Sequence, residues 1–256
     1  MRILLLSDIH SNLEALEASL AAAPPHDAIV NLGDIVGYGA SPNEVTVKVR
    51  ELGGGVLPQT VVRGNHDKVV AGLDKVETFN PMAGMAALWN RAQLTADNLE
   101  WLRSLPQGPI ALPELSGVQF VHGAPDDEDR YVVLIQDALP ALIGSNVSIT
   151  FFGHTHIQGT FLLRNGFAEA AHPEYASIGQ SETCDFQLET GVSYMINPGS
   201  VGQPRDGDWR SGFAVFDTDL RLVTFCRVPY DVRSAQEKIF AANLPARLAT
   251  RLAAGR

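Results

Sequence analysis

Residues 3–10 read Ile-Leu-Leu-Leu-Ser-Asp-Ile-His, an apolar run that ends on two metal-binding side chains, Asp8 and His10. The same event recurs along the chain. AIVNL runs into Gly33-Asp34, TVVR into Gly64-Asn65-His66-Asp67, VQFV into His122-Gly123, and ITFF into Gly153-His154-Thr155-His156. Short apolar runs stopped by Gly or a polar residue predict strands of a parallel sheet buried on both faces. In open α/β sheets, ligands gather just beyond the carboxyl ends of the strands. Five such strands bring Asp8, His10, Asp34, Asn65, His66, His122, His154 and His156 to one rim. A set of carboxylates, an amide and imidazoles of that size reads as a site for two metals.

The donor chemistry narrows the metal. Imidazole-rich sites with some carboxylate suit manganese, iron, zinc or nickel better than magnesium or calcium. Manganese is the first expectation. Two divalent ions outweigh Asp8, Asp34 and a shared hydroxide by one charge, so such a site still attracts an anionic ester. A third carboxylate would cancel that charge, and the neutral Asn65 avoids it. Two ions roughly 3.5–4 Å apart acidify a shared water and stabilise both oxygens of an in-line displacement.

Composition sets the frame. The chain has 256 residues and a net charge of −10, from 19 basic and 29 acidic side chains. A chain of this length buries roughly three quarters of its unfolded surface and needs no disulfide staples. Cys184 and Cys226 stand apart and in no metal-ligand spacing, as expected of a reduced, cytoplasmic protein. Asp8 follows the first apolar run at once, unlike a secretory signal, and no stretch approaches the ~18 apolar residues of a membrane helix. Acidity disfavours long nucleic acid, whose binding rests on Lys and Arg. A small phosphoester, nucleotide-derived esters included, is compatible with a locally cationic site, and self-association of the chain into a homo-oligomer is left open.

One domain over 1–256 is expected. Leu13, Leu16 and Leu20 predict a helix over 12–23 closed by Pro24-Pro25, and a second helix runs from about Pro42 to Leu52. A helical excursion covers about 80–105, where Met82, Met85, Trp89 and Trp101 form a core or subunit-contact stripe, and another helix lies near 131–143. Beyond His156 the pattern turns antiparallel, with Asn165-Gly166 marking a hairpin. Strands follow at 192–196, 212–217 and 222–228. The stretch 171–190 reads as an excursion loop and 232–254 as a closing helix, whose Arg247, Arg251 and Arg256 form a solvated face.

The order DxH, GD, GNHD, H and GHTH over residues 1–160 resembles the calcineurin-like metallophosphoesterase superfamily. NPGSVGQPR at 197–205 is similar to a strand-end loop of its small bacterial phosphodiesterase-like members. The resemblance implies an α/β (α+β) fold in which two mixed sheets pack as a sandwich flanked by helices, with a dinuclear site at the rim. It implies Asp8, His10 and His156 on one metal, Asn65, His122 and His154 on the other, and Asp34 bridging both. It also places His66 beside the scissile phosphate as general acid, with Asp67 orienting its ring. General acid catalysis of that kind contributes ~10²–10⁴ in rate.

Each residue has an ordinary reading when taken alone. Asp8 and Asp34 serve equally as helix N-caps, Asn65 as a turn residue and His122 as a core histidine. Their joint placement at strand ends favours ligands. His26 reads as solvated and His172 as part of the excursion loop. One departure narrows the class: protein Ser/Thr phosphatases and related dinucleoside-tetraphosphate hydrolases continue GD into an Asp-Arg-Gly whose Arg clamps phosphate. Here Asp34 continues into Ile35-Val36-Gly37-Tyr38-Gly39 without an Arg. Losing a bidentate clamp favours phosphodiesters over phosphomonoesters, nucleotides and phosphoproteins, unless Arg63 or Arg205 replaces it. Asn12, Tyr38, Arg63, Ser200 and Arg205 are the candidate substrate contacts. A scaffold that keeps the fold without chemistry is the alternative; retention of so many buried polar groups, which cost desolvation, argues for an enzyme.

Overall fold

The computed structural model describes residues 1–52, 60–177 and 179–256. Strands β1 (Arg2–Leu6), β2 (Ala28–Asn31) and β3 (Thr60–Val61) alternate with helices α1 (Leu13–Ala22) and α2 (Pro42–Glu51). Helices α3 (Asn65–Ala71), α4 (Pro81–Gln93) and α5 (Ala96–Ser104) follow. Next come β4 (Val118–Phe120), α6 (Ile135–Gly144), β5 (Ile149–Phe151), β6 (Gly159–Arg164) and β7 (Phe167–Ala171). The remainder is β8 (Glu182–Gln187), β9 (Ser193–Asn197), β10 (Ser211–Asp217), β11 (Leu222–Val228), α7 (Val232–Ala241) and α8 (Ala246–Thr250). Among the described residues no helix is long and apolar enough to cross a membrane.

The five motif-bearing strands do not share one sheet. β1, β2 and β3 run parallel in a six-stranded sheet ordered β3-β2-β1-β10-β11-β8. β4 and β5 run parallel in a five-stranded sheet ordered β4-β5-β9-β6-β7. Both sheets are mixed and stack face to face, as the resemblance implies. Alternation along β1 explains its unbroken hydrophobicity. Ile3 and Leu5 pack with Phe120, Phe151 and Ile196 of the opposite sheet, while Leu4 and Leu6 pack with helices outside. Helix α6 covers the other sheet's outer face over Phe152, Phe161 and Met195.

Two sequence expectations are corrected here, and a third, the helical excursion over 80–105, is refined. The excursion loop at 171–190 contains β8, which pairs with β11 at the sheet edge, Phe225 facing Cys184. Its pattern ETCDFQ alternates between half-buried and exposed, and an edge strand with one wet face carries few large apolar residues. The closing helix is broken: α7 ends at Ala241, and Asn243, in the left-handed region at φ 54°, turns the chain before Pro245 and α8. A 3-10 turn over Leu252–Ala254 completes it. The 80–105 excursion is two helices, divided where Leu94 leaves helical geometry and Thr95 caps α5. Met82, Trp89 and Trp101 pack on the core, whereas Met85 and Leu88 are exposed. The Asn165-Gly166 hairpin joins β6 to β7 as expected, with both turn residues at positive φ.

Candidate metal centre

The strand ends deliver their polar residues through sharply turned backbone. Asp8, His10, Asp34, His154 and His156 all sit at positive φ, between 50° and 66°. Such geometry costs a non-glycine residue of order 1–3 kcal/mol, and its concentration here marks a site that the surrounding fold holds in place. Asp8 and His10 follow β1, Asp34 follows β2, Asn65 and His66 open α3, His122 follows β4, and His154 and His156 follow β5. Each sheet therefore supplies part of one rim.

Two donor groups form there. Asp8, His10, Asp34 and His156 present ligand atoms that all lie within 4.8 Å of one another, and Asp34, His122 and His154 do the same. Asp34 is common to both. Its Oδ2 lies 3.6 Å from His10 Nε2 and 3.4 Å from His122 Nε2. Asn65 Oδ1 lies 3.3 Å from His122 Nε2, which brings the amide into the second group.

Hydrogen bonds behind the rings fix which nitrogen faces the centre. His10 Nδ1 donates to the Val36 carbonyl at 3.1 Å, His122 Nδ1 to Leu32 at 2.7 Å, and His156 Nδ1 to Gln203 at 2.6 Å. A carbonyl oxygen can only accept, so each Nδ1 carries the proton and each Nε2 is directed inward. His154 is turned the other way: its Nε2 donates to the Asp129 carbonyl at 3.0 Å, which leaves Nδ1 as its free nitrogen. His10 Nε2 and His156 Nε2 then stand 3.1 Å apart with carboxylates beside them. Converging lone pairs and buried anions repel one another unless cations lie between them. The residues fit a pair of divalent ions.

Electrostatics follow from burial. Desolvation lifts the Asp8 pKa to about 7, opposed by His122. Burial also works against the Asp34 charge, but the His122, His66 and His10 rings around it hold its pKa well below the usual range. Burial opposes charge on His122 too, yet Asp34 and Asp8 raise its pKa to about 10. Desolvation lowers the pKa values of His10 and His156 strongly and that of His154 to about 3. In the metal-free chain the ionised pair at the centre is therefore His122 with Asp34.

His66 stands beside these groups. Its backbone N–H donates to Asp34 Oδ1 at 2.8 Å, and its buried Nδ1 has no hydrogen-bond partner. The ring packs against Phe79 and Tyr38, both at 4.4 Å between centroids. Burial lowers its pKa to about 4. Gly64, just before this turn, leaves no room for a side chain: a Cβ there would lie 2.1 Å from Asp34 Oδ1.

A family model described as the calcineurin-like phosphoesterase superfamily domain matches residues 1–221. The chain belongs to the calcineurin-like phosphoesterase superfamily. Members use a dinuclear divalent metal site, in accord with the two donor groups here. An uncharacterised protein of Methanocaldococcus jannaschii is 36% identical over 264 residues, spanning 99% of this chain and 98% of that protein. The crystal structure of a metallophosphoesterase from Sphaerobacter thermophilus is 39% identical with a TM-score of 0.81, covering 100% of this chain and 99% of that one. A hypothetical protein of Pyrococcus horikoshii, at 19% identity and TM-score 0.75, shares the fold over 100% of this chain and 98% of that one.

Several of the expected contact residues have hydrogen-bond partners within the chain. Asp67 makes no hydrogen bond to the His66 ring, whose Nδ1 has no partner among the described residues. Its Oδ1 accepts from the Ile35 and Val36 amides and its Oδ2 from Gly64, so it clamps the loop that carries Asp34. Asn12 caps α1 by accepting from Ala15, and its amide donates to the Gly202 carbonyl. Ser200 Oγ donates to the Asp8 carbonyl. Arg63 is paired with Glu128 at 2.9 Å. Tyr38 and Arg205 remain at the rim, with the Tyr38 ring 4.7 Å from His10 and the Arg205 guanidinium over that ring.

The sequence left other contributors unnoticed. Asn90 of α4 is fully buried; its Oδ1 accepts from Ser11 Oγ and the Gly37 amide, and its Nδ2 donates to the Gly39 carbonyl. A lone amide in a Met and Trp stripe gives no signal of that role. Tyr131 stacks on His154 at 3.8 Å between centroids. With Phe79 and Lys68 it lines a cleft of about 260 Å³ that reaches Asn65 and His154.

Proposed function

We propose that this chain hydrolyses phosphoester bonds at a two-metal centre held by Asp8, His10, Asp34 and His156 on one side and Asp34, Asn65, His122 and His154 on the other. The observation that carries the reading is the set of inward-facing ring nitrogens forced by backbone carbonyls behind them. A bound pair of divalent ions, manganese first among them, would supply an acidified water as nucleophile and charge stabilisation on the phosphoryl oxygens.

The chain's own residues do the rest. His66 is the proton donor to the leaving oxygen, the one imidazole of the rim outside both donor groups. Its ring is neutral in the free chain, and an anionic phosphate arriving beside it raises its pKa toward the range useful for an acid. Phe79 and Tyr38 fix the ring's position and exclude water from it. Asp67 keeps the Asp34 loop rigid, and the Asp129 carbonyl orients His154.

The Asp34 loop lacks an arginine, which on its own favours diesters. Arg205, at the rim by another route, weakens that ground. The purified chain should carry about two transition ions per protomer and hydrolyse bis-p-nitrophenyl phosphate. Chelation should abolish turnover and manganese should restore it. Full activity in protein shown metal-free by elemental analysis would overturn the proposal.

A further inference from the structure

Eight of the fifteen arginines, Arg63, Arg210 and Arg227 among them, have a side-chain carboxylate within 4.0 Å among the described residues. Of the arginines with no side-chain carboxylate partner among the described residues, Arg205 and Arg251 are the two that lie half-buried over Tyr38 at the rim of the metal centre. Both guanidinium groups lie over Tyr38, with Arg205 Cζ 5.7 Å and Arg251 Cζ 5.8 Å from its ring centroid. That ring is itself in contact with His10 and His66.

Part of their donor capacity is unspent. Arg205 uses Nη2 alone, which donates to the Tyr38 hydroxyl at 3.3 Å and to Gln203 Oε1 at 3.2 Å, and its buried Nε has no partner among the described residues. Arg251 Nε donates to a main-chain oxygen of Arg256, and among the described residues its terminal nitrogens have no hydrogen-bond partner. Two cations share one aromatic ring with no side-chain carboxylate on either among the described residues, and their remaining N–H groups can take up an anion.

The fold holds the pair together. Arg205 follows β9 in the loop whose backbone N–H donates to the His156 carbonyl at 3.1 Å. Arg251 comes from the turn after α8, anchored by buried Leu248, Ala249 and Leu252. The two segments are joined where the Gly207 amide donates to the Gly255 carbonyl at 3.0 Å. Gly255 sits at φ +60°, and a Cβ there would lie 2.6 Å from the Asp208 nitrogen. Arg251 lies beyond residue 221, where the match to the family model ends.

We propose that Arg205 and Arg251 form the phosphate clamp that the Asp34 loop lacks, and that they fit the site to phosphoryl groups carrying two negative charges. The inference rests on the phosphoester reading above. A planar guanidinium fork matches the unesterified oxygens of phosphate. A monoester offers more such oxygen and charge to two forks than a diester does. Arg205 is the inner member, in hydrogen-bonding contact with Tyr38, and Arg251 reaches in from the outer side.

The test compares p-nitrophenyl phosphate with bis-p-nitrophenyl phosphate on manganese-loaded protein, native and Arg251→Gln, with inorganic phosphate binding measured by calorimetry. Hydrogen bonds to charged groups are worth enough that KM for the monoester should rise about tenfold or more, with a clearly smaller rise for the diester and kcat little changed. Inorganic phosphate should bind more weakly by a similar factor. Arg251→Lys, which keeps the charge but loses the fork, should fall between, and it carries the test if the Gln variant does not fold. Equal KM changes for both esters, or unchanged phosphate binding, would overturn the clamp. Native protein that binds phosphate through Arg251 but cleaves neither ester would instead refute the hydrolase reading alone.

Discussion

Removing the Asp67 carboxylate tests how the centre is held. Three buried backbone amides, from Ile35, Val36 and Gly64, end on its oxygens at 2.9, 3.2 and 3.0 Å. Asp67→Ala leaves all three without an acceptor in a place that water does not reach. Each orphaned group costs about 1–3 kcal/mol, so even the lower half of that range gives about 3–6 kcal/mol in total. For a chain of this size roughly 2–4 °C of Tm accompany each kcal/mol, so the melting point should fall by about 6 °C or more. Asp67→Asn keeps one acceptor and turns an amide N–H₂ toward a remaining donor, so its loss should be smaller. Thermal unfolding by circular dichroism and calorimetry, on metal-free and manganese-loaded protein, gives the numbers. An Asp67→Ala melt within about 2 °C of native would refute the clamp, because no set of three orphaned amides is that cheap.

Asp34→Asn should lose both metals and turnover together, as read by elemental analysis beside the esterase assay, and Gly64→Ala should mimic it by pushing on Asp34 Oδ1. His66→Ala should retain both metals yet lose turnover by about 10²–10⁴, most on esters with poor leaving groups; loss of metal in that variant would mean the ring is a ligand. Metal loading should release protons, because His122 titrates at about 10 and Asp8 at about 7 in the free chain. Affinity should therefore weaken as pH falls, and titration calorimetry in buffers of different ionisation enthalpy should register the protons; a buffer-independent heat would contradict this. Without metal, the His122 pKa is raised above its unfolded value, so its pairing with Asp34 stabilises fully below about pH 6.5 and fades as pH rises toward 10.

Polar residues at the ends of apolar runs were legible because, although each alone could be a cap, a turn or a core residue, five buried runs all stopping on Asp, Asn or His point to one shared rim. That logic brought the candidate ligands to one rim, while their division into two groups with Asp34 between them came from the family resemblance. The same logic did not divide the strands between two sheets, since an apolar run does not say which sheet it joins. β8 escaped notice because an edge strand with one wet face lacks the apolar signal. Asp67 was legible as a polar residue of the GNHD turn, but its hydrogen bonds run to backbone 31 and 32 positions away, which side-chain identity does not encode. Arg251 reads as solvated on any helical projection. Only the break at Asn243 and the seating of Gly255 on Asp208 bring it to the rim.

Both donor groups draw on both sheets: Asp8 and His10 meet His156 across the sandwich, and Asp34 meets His122 and His154. The spacing between ligands is therefore also a measure of how the two layers are aligned. A slip of one sheet over the other, or a change in their separation, is read out at the rim as altered metal geometry. The interlayer contact between Phe151 and Phe216, 5.3 Å between ring centroids, takes part in that alignment without touching the centre. The apolar filling of the sandwich thus acts as a gauge block for the chemistry at its edge, and truncations there should be felt as metal affinity before they are felt as lost fold.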